Sequence, residues 1–381
     1  MRKIGVITGT RAEYGIFKSV LQKIEARKDL KLSLIVVGMH LSPEFGFTVK
    51  EIEKDGFKIE AKINVLHAED TKASMAKSVG ESVLKIAEAL EELKPDLLLV
   101  LGDRSEMLAG AVAATYMGVP IAHIHGGEVS GNVDERVRHA ITKLAHLHFP
   151  ATKESAERIL KMGEEPWRVH IVGAPSLDLI ANRKMSEPKV IADKYGLDFS
   201  NPTLLVLQHS VVAEADEAAS QIRKTLEAVK ELKQQTVLIY PNADAGGRRM
   251  IEVIKKYEGA GFLKTFKSVP HEDYLGLMKL AKVMIGNSSS GIIEAPSFGL
   301  PVVNIGGRQE GRQRAGNVID VGYDTKEIVV AVRKALQDRD FKEEASSYEN
   351  LYGDGKAGKR IVKVLSAVEL GKKLMEKRMT Y

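Results

Sequence analysis

The sequence predicts an α/β protein built from two doubly wound parallel sheets, and three observations carry that expectation. Short apolar runs alternate with longer amphipathic ones almost from end to end, the pattern of strand–helix–strand units joined by right-handed crossovers. The run Leu97-Leu98-Leu99-Val100-Leu101 is apolar without alternation, as a strand covered by helices on both faces requires. The pattern then restarts: Lys184–Val190 is polar and carries a proline, and Asn201-Pro202 precedes a fresh apolar run from Leu204.

In chain order, the first half is expected to hold strands at Ile4–Thr8, Leu32–Gly38, Leu97–Leu101 and Ile121–His125. The second supplies Leu204–Gln208, Thr236–Tyr240, Val283–Gly286 and Val302–Ile305. Helix-length segments lie between them. In one, Met75, Val79, Val83, Ile86, Leu90 and Leu93 recur at spacings of three and four, a single apolar stripe. Gly358–Tyr381 reads as an amphipathic helix with a basic end, and residues 361–381 are expected to pack back on the first half. Two Rossmann-like domains follow, 1–180 and 181–360, with a hinge near 180–200. No period of roughly 20–50 residues is visible, which argues against a solenoid.

Composition narrows the function classes. Charged residues make up 28% and hydrophobic ones 44% of the 381, an ordinary globular balance with material for two cores. Lys and Arg exceed Asp and Glu by 56 to 51, and no basic tract is interleaved with aromatics, so no nucleic-acid platform is expected. The absence of cysteine removes disulfides, thiolate nucleophiles, iron–sulfur clusters and cysteine-ligated zinc. The apolar run after Met1 is too short for a signal peptide, and no stretch approaches the ~18 apolar residues of a membrane span. A cytoplasmic protein without membrane partners is expected.

Chemistry-bearing residues gather at the expected strand ends, where open α/β sheets bind ligands. The turn Thr8-Gly9-Thr10-Arg11-Ala12-Glu13-Tyr14-Gly15 lets backbone N–H groups approach an anion at a helix start, with Arg11 adding charge. It lacks the glycine spacing of a dinucleotide site. A second turn, Gly286-Asn287-Ser288-Ser289-Ser290-Gly291, sets three hydroxyls at a helix start, more than one cap requires and suited to a diphosphate. Glu294 follows one helical turn on, placed for a ribose diol. No Walker-type loop is present, so nothing suggests ATP hydrolysis.

Between these turns, Gly102-Asp103-Arg104 ends a strand, His123-Ile124-His125-Gly126-Gly127-Glu128 ends the next, and Asp134 to Arg138 opens a helix. Asp103, His125, Glu128 and Asp134 converge on one sheet edge, an imidazole and acids for proton transfer at a sugar carbon. Taken singly, Asp134 reads equally as a helix-start carboxylate paired with Arg138, and Asp103 as a turn residue paired with Arg104. Five histidines fall between His123 and His148, but no recognised ligand spacing accompanies them and no metal is assigned. In the second half His209, Asn242 and His271 follow strands or open a helix beside the serine turn, and Arg308 adds a cation.

In order along the chain stand Gly9-Thr10-Arg11-Ala12-Glu13-Tyr14, Gly102-Asp103-Arg104, Gly126-Gly127-Glu128-Val129-Ser130-Gly131, Arg138-His139-Ala140-Ile141-Thr142-Lys143, Pro241-Asn242-Ala243-Asp244-Ala245-Gly246, Gly286-Asn287-Ser288-Ser289 and Arg308-Gln309. Together they resemble the hydrolysing UDP-N-acetylglucosamine 2-epimerases of sialic-acid biosynthesis, above all the epimerase half of the bifunctional epimerase/kinase. The resemblance implies a GT-B architecture with a UDP-sugar bound between two Rossmann-like domains, no metal or other cofactor, and a homodimer. It implies that a proton leaves C2 as UDP leaves C1, giving 2-acetamidoglucal, and that water then yields N-acetylmannosamine. Asp103 and Asp134 take acid–base roles. Arg11, Arg104, His209, Asn242, His271, Ser288, Ser289, Glu294 and Arg308 take the nucleotide and diphosphate.

One position departs. Relatives carry a glutamate two residues before the Gly-Glu pair; here it is His125, with Glu128 retained. Either His125 or Glu128 then carries the proton, and an imidazole with an unperturbed pKa of about 6.5 suits a base near neutrality. The leading expectation is a hydrolysing UDP-N-acetylglucosamine 2-epimerase. The alternatives are a hydrolysing enzyme for a UDP-2,4-diacetamido-2,4,6-trideoxyhexose of the legionaminic-acid branch, a non-hydrolysing epimerase, and a UDP-sugar-binding sensor without turnover.

Overall fold

Two six-stranded sheets, with every paired strand parallel, frame the computed structural model, which describes residues 1–67 and 69–381. The first holds β1 (Arg2–Thr8), β2 (Leu30–Val37), β3 (Ile59–Ile63), β4 (Leu97–Leu101), β5 (Ile121–Ile124) and β6 (Leu147–Phe149), in the order β3-β2-β1-β4-β5-β6. The second holds β7 (Thr203–Leu207), β8 (Gln235–Ile239), β9 (Leu263–Phe266), β10 (Val283–Gly286), β11 (Val302–Ile305) and β12 (Val318–Val321), in the order β12-β11-β10-β7-β8-β9. Counted from its own first strand, the second sheet repeats the order of the first. Both are Rossmann-like, and each has its switch point between its first and fourth strands.

The strands read from sequence are the inner eight, and the four that were not expected (β3, β6, β9 and β12) are the sheet edges. An edge strand pairs on one side only and need not be apolar throughout. Ile59–Ile63 and Val318–Val321 are only partly buried, so neither carries the continuous apolar run of the buried Leu97–Leu101. His125 was expected to end a strand; β5 instead stops at Ile124, and His125 turns out of it at φ +61°.

Helices cover both faces of each sheet. On one face of the first, Phe17 and Leu21 of the helix Arg11–Glu25 pack with Ile52 and β-strand residues such as Leu99. On the other, Ile86 and Leu90 of the helix Lys72–Leu93 meet Ala109 and Ala113 of Ser105–Tyr116, and Ile141 of Val133–Leu144. The second sheet has a core on each face in the same way, around Ile222 and Ile254 on one side and Leu275 and Met278 on the other. Each such large apolar side chain contributes about 1.5–3 kcal/mol by leaving water. No helix among the described residues is long and apolar enough to cross a membrane.

The C-terminal stretch returns to the first half, where Ile361, Val362 and Leu365 of the helix Ala357–Ala367 enter the core beside Phe17. It is not one helix. Val368 leaves the helix at ψ 133°, Leu370 is exposed, and a short turn at Lys372–Met375 buries Leu374. The fully buried Arg168 donates to the carbonyls of Lys373, Leu374 and Glu376 and so fastens this segment.

Candidate active site

A cavity of about 420 Å³ lies between the C-terminal ends of the two sheets, and every one of the thirteen residues singled out above lines it. Both switch points open onto it: Arg11, Asp103 and Arg104 follow β1 and β4, while His209, Ser288 and Ser289 follow β7 and β10.

The first turn differs from expectation in one respect. Thr10 caps the helix Arg11–Glu25 in a reciprocal capping box, and the Glu13 carboxylate accepts the N–H groups of Gly9 (2.9 Å) and Thr10 (3.1 Å). Those two amides are therefore committed to the protein's own carboxylate, and Arg11 is what the turn offers an anion. Burial, with Glu106 close by, pushes Glu13 up to about 8. Arg104 does not pair with Asp103; its guanidinium lies 3.3 Å from both Glu106 and Asp244, the latter from the second half.

The four candidate acid–base residues are held by specific contacts. Gly127 takes φ +78° with the Ser155 carbonyl oxygen 2.2 Å from where a Cβ would stand, so only glycine turns the chain here. That turn folds Glu128 back so that its Oε1 accepts from His125 Nδ1. Glu128 Oε2 lies 3.0 Å from Arg312. Burial opposes charge on Glu128, yet Arg312 and His125 together hold its carboxyl below the usual range. His125 Nε2 is buried and has no protein partner. With its proton on Nδ1, the ring keeps an unpaired lone pair on Nε2, and His125 lines the cavity.

Asp103 is ion-paired with Arg138, whose other nitrogen donates to the Glu128 carbonyl (3.0 Å) and Ser130 Oγ (3.2 Å). Asp134, whose amide is capped by Asn132, pairs with Arg308 across the cleft at 3.2 Å, not with Arg138. Three of the four remaining histidines of the cluster are occupied structurally: His123 Nε2 meets the Gly102 carbonyl at 2.7 Å, Ile121 donates to His146, and His148 meets Glu164. The fourth, His139, lies 3.8 Å from Glu135 on its own helix, and its Nδ1 is buried without a partner. Among the described residues no three such side chains are grouped to hold a metal ion.

From the second half, Asn287 exchanges two hydrogen bonds with the His209 backbone, and its own carbonyl accepts from Arg308 (3.1 Å) and Gln309 (2.8 Å). His209 and His271 are both lowered to about 3 by burial, aided by Arg308 and Arg11 respectively. They meet a ligand as neutral rings. Glu294 is pushed up by burial. Ser288 Oγ accepts from Ser290, whose helix is only four residues long, Ser290–Ile293. Sequence reasoning missed Arg312 and the Arg104–Glu106–Asp244 group. The one available signal was a second arginine four residues after Arg308.

A family model described as UDP-N-acetylglucosamine 2-epimerase matches residues 22–366. The chain belongs to that family. It is therefore an enzyme that acts on a UDP-sugar, with the GT-B arrangement of two Rossmann-like halves. A UDP-N,N′-diacetylbacillosamine 2-epimerase (hydrolyzing) of Legionella pneumophila is 42% identical over 381 residues, the whole of both chains. A UDP-N-acetylglucosamine 2-epimerase of Neisseria meningitidis is 36% identical over 88% of each. Among solved structures, a Neisseria meningitidis UDP-GlcNAc 2-epimerase bound to UDP-GlcNAc superimposes with a TM-score of 0.80 at 20% identity, covering 96% of this chain and 99% of that one. At that identity the likeness speaks to the fold alone.

Proposed function

We propose that this epimerase hydrolyses a UDP-2,4-diacetamido-2,4,6-trideoxyhexose with inversion at C2, releasing UDP and the free 2,4-diacetamido-2,4,6-trideoxymannose. The observation that carries this reading, ahead of the UDP-N-acetylglucosamine expected first, is the full-length likeness to the Legionella enzyme. The cavity supports it: Val79, Leu108, Val133 and Val137 give its first-half side an apolar wall. A methyl at C6 suits such a wall, whereas a hydroxyl buried there without a partner costs about 1–3 kcal/mol.

In this reading residues 1–180, joined by 361–381, carry the acid–base groups, and 181–360 bind UDP. Arg11, Arg104 and Arg308 with Ser288 and Ser289 hold the diphosphate, and His209, Asn242, His271 and Glu294 hold the nucleoside. His125 Nε2 removes the C2 proton while the C1–O bond breaks, its electron pair leaving with UDP, to give the glycal. Glu128 keeps the Nδ1 proton in place and stabilises the imidazolium. Asp134, which takes up a solvent proton once the diphosphate has engaged Arg308, gives that proton to C2 from the opposite face as water adds its hydroxyl to C1 and gives its second proton to Asp103. His125 and Asp103 then return their protons to solvent. A cytoplasmic homodimer completes the proposal.

Product NMR in deuterium oxide tests it, with UDP-N-acetylglucosamine run beside the 2,4-diacetamido substrate. The expected result is UDP plus a reducing manno-configured sugar carrying one deuterium at C2, formed at least ~10-fold faster from the diacetamido substrate. Preference for UDP-N-acetylglucosamine returns the function to the first expectation. An epimerised product still bearing UDP makes the enzyme non-hydrolysing, and UDP binding without turnover makes it a sensor.

A further inference from the structure

Arg312 has no part in the reaction just described, yet it sits where that reaction turns. It lies on the loop after β11, is 8% exposed, and lines the cavity. Its Nη2 reaches the Glu128 carboxylate of the opposite half, while its Nε–H is buried without a partner. The loop that carries it presses on the acid–base loop so closely that a Cβ on Gly131 would stand 2.6 Å from the Gly307 carbonyl oxygen. Arg308, on the same loop, meets Asp134.

We propose that Arg312 is a positioning residue, the third member of a cross-cleft triad Arg312–Glu128–His125 that sets the proton affinity of His125 from the other half of the molecule. This rests on His125 being the base. The Glu128 carboxylate has two partners, and charge neutralised by the guanidinium is withdrawn from the imidazolium that forms as His125 takes its proton. The groups facing the pair are few. His123 on β5 and Glu294 from the second half act on His125 or Glu128 through their fields, and Tyr352 lies within the field of Glu128. Arg138 holds the Glu128 carbonyl rather than its carboxylate. Among the described residues, Arg312 is the arginine or lysine that touches that carboxylate. The contact joins the two halves at the acid–base group, since Glu128 stands on the loop after β5 and Arg312 on the loop after β11.

The test is the pH dependence of kcat/KM, read by UDP release, for the wild type, Arg312→Gln, Arg312→Lys and His125→Gln, with Kd for UDP measured alongside. Arg312→Gln is expected to raise the acid-limb midpoint by about one pH unit. It is expected to lower kcat/KM on the acid limb by up to about 10-fold, the limit that a one-unit displacement sets, and to leave Kd within about two-fold. Arg312→Lys keeps the charge and is expected to hold the wild-type midpoint. An unmoved midpoint in Arg312→Gln, or a Kd that weakens in step with kcat/KM, overturns the triad. If the glutamine variant does not fold, the lysine variant decides: a midpoint displaced despite the retained charge overturns it. His125→Gln separates the two ideas. A midpoint that survives in it overturns the base assignment and the triad together; one lost in it but unmoved by Arg312→Gln overturns the triad alone.

Discussion

Replacing Glu128 by glutamine keeps its shape and removes its charge, and the contacts set the cost. Oε1 accepts from His125 Nδ1, and Oε2 accepts from Arg312 at 3.0 Å. A carboxamide offers one acceptor oxygen and one donor nitrogen to two partners that both donate. If the oxygen stays with Arg312, the NH2 faces Nδ1 and the imidazole must carry its proton on Nε2, where it cannot accept one from C2. If the oxygen stays with His125, donor meets donor at the guanidinium inside a buried site. The first arrangement removes general-base catalysis, a loss of about 10²–10⁴ in rate. That range corresponds to about 3–5.5 kcal/mol in the barrier. Exchanging the carboxylate for a carboxamide behind a catalytic histidine costs about 10⁴ by the same tautomer error in serine proteases. Glu128→Gln is therefore expected to lower kcat about 10³-fold with Kd for UDP unchanged. Deuterium entry at C2 should fall in step with UDP release, since proton removal is the step damaged. A kcat within about three-fold of wild type refutes the reasoning, because a neutral partner then serves His125 as well as a charged one.

Other consequences concern stability and the nucleotide site. Gly286→Ala places a Cβ 2.1 Å from the Leu207 carbonyl oxygen at φ +131°; a loss of about 3 kcal/mol or more is expected in thermal unfolding, with weakened UDP binding. Arg168→Met leaves the carbonyls of Lys373, Leu374 and Glu376 without their donor. Urea unfolding should show a loss of about 2–4 kcal/mol, and limited proteolysis should cut first after residue 370. Burial opposes charge on Glu164, but hydrogen bonds from His148, Lys143 and Lys377 depress it to about 2. Its contribution to stability is thus complete above the unfolded carboxyl pKa of about 4.3 and lost as pH falls toward 2. Glu164→Gln should flatten that acid limb in a pH series of melting temperatures. His209 and His271, both lowered to about 3 by burial, should show no imidazole titration by NMR between pH 5 and 8.

The inner strands were legible because a strand sandwiched between helices has to be apolar on both faces; the edges escaped because Ile59–Ile63 or Val318–Val321 has to satisfy only one neighbour. That the candidate site residues would gather in one place was legible for a similar reason, since strand ends at a switch point are fixed by topology, and they line one cavity. What escaped depended on distance across the cleft. Arg308 with Asp134, and Arg312 with Glu128, are far apart in sequence and meet only because one loop of each half docks on the other. The Glu13 contact was different. Thr10-Arg11-Ala12-Glu13 spells a capping box, a local pattern that competes with an anion for the same amides, and in the fold the carboxylate takes them.

The return of Ala357–Ala367 to the first half means that the backbone crosses between halves twice, once between Phe149 and Thr203 and again between Val321 and Ala357. Two covalent tethers define an axle, where one would leave a swivel. Two crossings restrain twist and separation of the halves more than one would, and leave rocking about the line that joins them as the least hindered motion. The exposed stretch Ala181–Lys184 is then a place where the chain tolerates a nick: cut there, the C-terminal piece still carries Ala357–Ala367, and the packing of Ile361, Val362 and Leu365 in the first-half core holds the two pieces together.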